Sequence, residues 1–164
     1  MIIRKDQPQN DHGTENRSEH YGPFELLRYS DAGGLAQFGA YVETLQPGSR
    51  SSDRHWHEEE DEFLYMLSGE ATVIEEDGVH LLLPGDAACW PAGTANAHQV
   101  LNRSKAPCTY LIVGTRAPRD VVHYPDRGEV LYNEADRWRL LRTDGTLLKS
   151  GRFSYASGST LDDA

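Results

Sequence analysis

Cysteine is scarce in this chain. Cys89 and Cys108 are the only two among 164 residues, and they form neither a CxxC pair nor the dense set of a disulfide scaffold. Basic residues are also few, 16 Lys and Arg against 26 Asp and Glu, which leaves a net charge of −10. No Lys/Arg cluster offsets that charge, so neither nucleic acid nor an anionic membrane is expected as a partner. The longest apolar runs fall far short of the roughly 20 residues that a membrane-crossing helix needs. The opening residues, Met1 to Pro8, lack the apolar stretch of a secretion signal. Together these absences lead to the expectation of a reduced, cytoplasmic protein. The chain also shows no phosphate loop, no nucleophile elbow and no Cys/His nucleophile pair. Catalysis, if any, has to rest on a metal.

Helical periodicity is nearly missing as well. What the chain has instead is short apolar stretches cut by Gly and Pro turns. Phe24–Tyr29, Ala36–Leu45, Glu62–Leu67, Ala71–Ile74, Val79–Leu83, Ala88–Trp90, His98–Leu101 and Thr109–Val113 read as strands. Pro47-Gly48, Ser68-Gly69, Asp77-Gly78, Pro84-Gly85 and Pro91-Ala92-Gly93 separate them. Eight or more such strands predict an all-β sandwich or barrel. No repeat of 20–50 residues appears, which excludes a solenoid or propeller. Residues 1–20, polar throughout, read as an amino-terminal arm, 21–118 as the β-barrel, 119–152 as an extension packed on it, and 153–164 as a disordered tail. In the extension, 123–126 reads as extended chain, and 130–132 and 138–141 as edge strands or a short helix.

The most informative stretch runs from Gly48 to Gly69. His55 and His57 are two apart, so on a strand both imidazoles share one face. Glu62 opens the next apolar run, and a turn through Glu58–Asp61 can return its carboxylate to the same space. Two imidazoles and a carboxylate converging on one point suit a divalent transition metal, whether Mn, Fe, Co, Ni or Zn. His98, in a later segment with its own turn signals, is the fourth candidate. Asp61 is the rival carboxylate, but Glu62 begins the strand. His12, His20, His80 and His123 are read as non-ligands.

The spacing Gly48…His55-x-His57-x₄-Glu62-x₆-Gly69 resembles the first signature of the cupin superfamily, with one extra residue before the first histidine. Gly85-x₅-Pro91-x-Gly93-x₄-His98-x₃-Asn102 resembles the second, with two extra residues between Gly93 and His98. The wording around Arg54–Phe63, Pro91–His98 and Val122–Asp126 is similar to a bacterial single-cupin group, some of whose members are labelled sugar-phosphate isomerase-like. The resemblance implies a double-stranded β-helix, that is, a small jelly roll. It also implies one divalent metal held by three His and one Glu.

Two further expectations follow. If Glu62 faces inward, Phe63, Tyr65 and Leu67 face outward as a large apolar patch, which points to a homodimer. Tyr41 and Tyr110, on barrel strands, are the candidate acid or base residues. The leading reading is a metal-dependent isomerase or lyase acting on a small-molecule substrate, a sugar derivative or a hydroxy or carboxylic acid. A metal dioxygenase and a non-catalytic sugar or carboxylate binder remain as alternatives.

Overall fold

Alternation along Glu62–Ser68 sets the frame of the molecule. Leu64 and Met66 are 0% and 1% exposed, whereas Phe63, Tyr65 and Leu67 stand out to solvent at 37%, 39% and 46%. This is the two-residue period of a strand buried on one face. The computed structural model describes residues 1–11 and 19–152. Six strands form one antiparallel sheet in the spatial order β1 (Gln9–Asp11), β2 (Phe24–Arg28), β3 (Phe38–Leu45), β10 (Cys108–Thr115), β5 (Glu62–Ser68) and β8 (Ala87–Trp90). A helical turn, α1 (Tyr29–Ala32), follows β2. Among the described residues no helix is long and apolar enough to cross a membrane.

The opposite wall begins with β7 (Gly78–Leu82), β6 (Ala71–Glu75) and β9 (Gln99–Leu101). Segment 50–57 continues it, bridging β9 through Arg50↔Leu101 and pairing His55 with His98. The end of that segment, β4 (Trp56–His57), then pairs with β11 (Arg119–Tyr124). Beyond β11 lie β12 (Glu129–Glu134), β13 (Arg137–Arg142) and β14 (Leu147–Arg152) as an antiparallel meander. The chain between 50 and 57 is therefore the hinge piece through which the barrel and the carboxy-terminal sheet become continuous.

Leu26, Leu45, Leu64, Met66 and Tyr110 from the first wall meet Ala71, Val73, Leu82 and Val100 from the second. Each large aliphatic group so buried contributes about 1.5–3 kcal/mol. A smaller cluster of Val122, Leu131 and Leu140 underlies the meander. Asn102, 1% exposed, donates from Nδ2 to the carbonyls of Leu45 and Ala106 at 2.9 and 2.8 Å, so it ties down a loop. Gly69, with φ of +76°, turns β5 into β6. A Cβ there would lie 2.5 Å from the carbonyl oxygen of Pro107, so only glycine fits.

The all-β barrel expected from the turn pattern forms, as the jelly roll that the resemblance implies. The differences lie at its edges. The polar arm expected at 1–20 supplies an edge strand, because Gln9–Asp11 pairs with Leu26–Arg28. Residues 12–18 and 153–164, the latter expected as a tail, lie outside the described residues. The extension at 119–152 is a four-stranded meander, so of the two readings of 130–132 and 138–141, edge strand or short helix, strands form. Its Val122, Leu131 and Leu140 bury one face, and Asp144 and Gly145 make a tight turn before β14.

Candidate metal centre

His55 and His98 face each other across an antiparallel bridge. His55 N–H donates to the His98 carbonyl at 3.0 Å, and His98 N–H to the His55 carbonyl at 2.8 Å. A pair that exchanges both bonds presents its side chains on the same face, and the two rings lie 4.9 Å apart. His57 follows on the same side, its ring 5.1 Å from that of His55. Glu62, at the start of β5, reaches across from the other wall. Its Oε2 is 2.7 Å from His98 Nε2, 3.7 Å from His57 Nε2 and 3.8 Å from His55 Nε2. The structure thus brings together all four residues singled out from the sequence. The two extra residues between Gly93 and His98 are absorbed in the turn, where Asn96 Nδ2 donates to Glu75.

The far side of each ring is held by oxygen. His55 Nδ1 lies 2.8 Å from the Asp53 carbonyl and 3.2 Å from Ser52 Oγ. His57 Nδ1 lies 2.6 Å from Asp120 Oδ2, and His98 Nδ1 3.4 Å from the Asn96 carbonyl. A ring whose Nδ1–H donates outward has its Nε2 lone pair turned inward. Two such lone pairs, from His55 and His57, converge on Glu62 beside His98 Nε2, which donates to the carboxylate. A cation that displaced that proton would be met by four donor groups. His55, Glu62 and His98 form one group whose ligand atoms all lie within 4.8 Å of one another and could hold a metal ion. His57, Glu60 and Asp120 form a second such group beside it.

The electrostatics fit a cation site. Burial works against the charge on Glu62, but the His98 hydrogen bond and the three imidazoles overcome it and hold the carboxyl at about 2. Burial lowers His55 to about 4, so its ring stays neutral. His57 is raised despite its burial, because Asp120 accepts its Nδ1–H. Asp120 is lowered by the same bond, again against burial.

Residues that sequence reasoning missed complete the site. Asp120 is 2% exposed and also accepts from the Glu59 amide at 3.0 Å. It stands 63 positions from His57 in the segment taken as an extension. Trp90 stacks on His98 with centroids 3.8 Å apart and planes 7° apart. Its Nε1 donates to Glu75 Oε1 at 2.6 Å, which fixes the indole. Tyr124 lies 5.8 Å from the His55 ring. The Trp-Pro run at 90–91 marked a turn only, and nothing along the sequence marked Asp120.

The two candidate tyrosines part company. Tyr110 faces inward but is 1% exposed, level with Met66, and its hydroxyl donates to Glu43 at 2.6 Å. Tyr41 also packs inward on β3, and its hydroxyl accepts from Arg116 Nη2 at 2.6 Å. His20, His80 and His123 engage other partners: Asp53, Asp77 and Glu58 respectively. His12 lies outside the described residues.

With the geometry in hand, likeness to known proteins becomes decisive. A model of the Cupin domain matches residues 41–114. The crystal structure of a sugar phosphate isomerase from a cupin superfamily, from Silicibacter pomeroyi, is 36% identical. The match covers 94% of this chain and 100% of that one, with a TM-score of 0.84. This chain belongs to the cupin superfamily. A second cupin-like structure comes from an Acidithiobacillus ferrooxidans protein named only provisionally as a sugar phosphate isomerase. It is 27% identical over 90% of this cupin and 96% of its own chain, with a TM-score of 0.77. An oxalate decarboxylase by prediction from Thermotoga maritima is 22% identical, covering 71% of this cupin and 100% of its own chain at a TM-score of 0.59, a likeness of fold. Among curated proteins none matches.

Proposed function

We propose that this cupin is a metal-dependent isomerase or lyase acting on a small oxygenated substrate, a sugar derivative or a hydroxy or carboxylic acid. The observation that carries the reading is the convergence of three imidazole Nε2 atoms on Glu62 Oε2 at 2.7–3.8 Å. In this reading His55, His57, Glu62 and His98 hold one divalent ion, and a mixed nitrogen and oxygen donor set admits Mn, Fe, Co, Ni or Zn. When bound, such an ion supplies Lewis acidity toward substrate oxygens. The names of the two similar structures, sugar phosphate isomerases, support the isomerase reading.

The chain's own groups suit proton movement. Arginine only donates, so Tyr41 must accept from Arg116, and its own O–H is left to donate. Gly39, Gly114 and Glu62 follow one another across three paired strands. The Tyr41 phenol lies over Gly39, and Gly114 carries no side chain to fill the space between that phenol and Glu62. In the proposal a substrate lies over that floor, and Tyr41 gives a proton to, or retrieves one from, its oxygen or the adjacent carbon. Tyr110, committed to Glu43, takes no part.

The test is solvent exchange. Metal-loaded protein incubated in deuterium oxide with a panel of aldose and ketose phosphates and hydroxy acids should incorporate deuterium beside the carbonyl or interconvert isomers, read by proton NMR. A panel that binds but never exchanges or turns over would overturn the enzymatic reading in favour of a binding module. We further propose that the cupin works as a homodimer through the outward face of β5, where Phe63, Tyr65 and Leu67 remain exposed.

A further inference from the structure

Arg116 stands at the barrel end that carries Glu62. Its own N–H donates to the Gln37 carbonyl at 3.1 Å. On either side of it in sequence, the Thr115 amide binds the Asp61 carbonyl at 3.0 Å and the Ala117 amide binds Glu60 Oε1 at 2.8 Å. The starts of β3 and β5 and the end of β10 thus meet at this residue. Its side chain turns toward Tyr41, away from the imidazoles. Nη1 donates to the Leu35 carbonyl at 2.9 Å, and Nη2 donates to Tyr41 Oη and to the Asp31 carboxylate.

Those three bonds leave two of the five guanidinium N–H groups uncommitted. The side chain is 36% exposed, so they are open to solvent. Behind it, Arg28 is 3% exposed and lies 5.5 Å from the centroid of the Tyr41 ring, which stiffens that phenol. Between this corner and Glu62 the Tyr41 phenol covers Gly39, since a Cβ there would lie 2.7 Å from Tyr41 Oη. Gly114 is open: a Cβ there would have the Asp61 carbonyl at 3.8 Å and Glu62 Cγ at 3.9 Å as its nearest neighbours. Two strand spacings, about 10 Å, separate the Gly39 and Glu62 backbones. One wall therefore carries the imidazoles and Glu62, and the facing corner carries the remaining Arg116 donors and the Tyr41 hydroxyl.

We infer that Arg116 is the subsite for an oxyanion of the substrate, a phosphate or a carboxylate, bound at the end of the cavity opposite the four metal donors. This rests on the proposed function for which end reacts. The two uncommitted N–H groups, one on Nε and one on Nη1, can each donate a charge-assisted bond to an oxygen of either group. Bound this way, the anion sits on Arg116, the carbon skeleton crosses Gly114 toward Glu62, and the Tyr41 hydroxyl, which lies over Gly39, faces it from the side. In a chain of net charge −10, a fixed cation at this corner is what admits an anionic ligand.

The experiment is calorimetric titration of metal-loaded wild type, Arg116→Gln, Arg116→Lys and Asp31→Asn with fructose 6-phosphate, gluconate and uncharged fructose. Wild type should bind fructose 6-phosphate or gluconate at least about tenfold more tightly than fructose, as a charge-assisted bond gives. Which anion shows the margin separates phosphate from carboxylate. Arg116→Gln should lose that margin at unchanged metal content, Arg116→Lys should keep part of it, and Asp31→Asn, which frees the fork, should widen it. Equal affinity of wild type for charged and uncharged ligands would overturn the subsite, as would a margin that survives in Arg116→Gln. If Arg116→Gln does not fold, a margin unaltered in both Arg116→Lys and Asp31→Asn overturns it. Deuterium exchange is read separately. An Arg116-dependent margin without exchange keeps the subsite and removes the isomerase reading, while exchange without the margin does the reverse.

Discussion

Asp120 Oδ2 lies 2.6 Å from His57 Nδ1, joining the carboxy-terminal meander to the strand that carries two of the candidate ligands. The bond fixes the ring's orientation and leaves Nε2 to face Glu62. It also makes the meander part of the site, because β11 both pairs with β4 and supplies the carboxylate. Asp120→Asn keeps the shape and removes the charge. Metal affinity, measured by competition with a chelator, should fall about 10–100-fold, the usual effect of losing such an outer partner.

His55→Ala and Glu62→Ala remove donors outright. Metal content after purification, measured by elemental analysis, should drop to background in both, with a lower melting temperature because metal binding and folding are coupled. Full occupancy in both variants would end the proposal of a four-residue centre.

Stability of the metal-free protein should fall in acid. His55 is held at about 4, chiefly by burial, against an ordinary 6.5. Glu62 is held at about 2 against 4.5, burial being overcome by the His98 hydrogen bond and the three imidazoles together. Both values are depressed, so in each case the unfolded chain binds the proton first. The His55 contribution is complete above 6.5 and is lost as pH falls toward 4, and that of Glu62 is lost between 4.5 and 2. His57, raised by Asp120, has the opposite sign and loses its contribution as pH rises through its folded value. Urea midpoints measured across this range should decline below neutrality, and Glu62→Gln should flatten the lower part. A midpoint that does not change from pH 6.5 to 3 would contradict this assignment.

Trp90 is 5% exposed and stacked on His98. Trp90→Ala should cost about 3–5 kcal/mol in urea unfolding, as for other buried aromatic truncations. Trp90→Phe, which keeps a ring but not the bond to Glu75, should cost clearly less.

The outward face of β5 leads to an expectation about assembly. Light scattering at micromolar concentration should give the mass of two chains, and Phe63→Asp with Tyr65→Lys should give one. A wild-type monomer under those conditions would refute the dimer.

Much of the architecture could be read from residue order. Glu62–Ser68 alternates, Asp77-Gly78 marks a hairpin, and the described residues are mostly strand, with a helical turn at Tyr29–Ala32 between β2 and β3. The pairing of the meander was less readable, since short apolar pieces such as 130–132 fit a strand or a helix until a partner strand fixes them.

The sequence alone determined which residues carry the donors. The two-residue period puts His55 and His57 on one face, and Glu62 starts a strand whose inward members are Leu64 and Met66. Only the tertiary structure decided what completes them. His98 joins through a backbone bridge to His55, Asp120 arrives from β11, Trp90 stacks from β8, and Arg116 meets Tyr41 from the end of β10. The physical reason is that local spacing governs the direction of a side chain along its own strand. Which residues meet across a barrel depends on how strands far apart in the chain pair to bury their apolar faces.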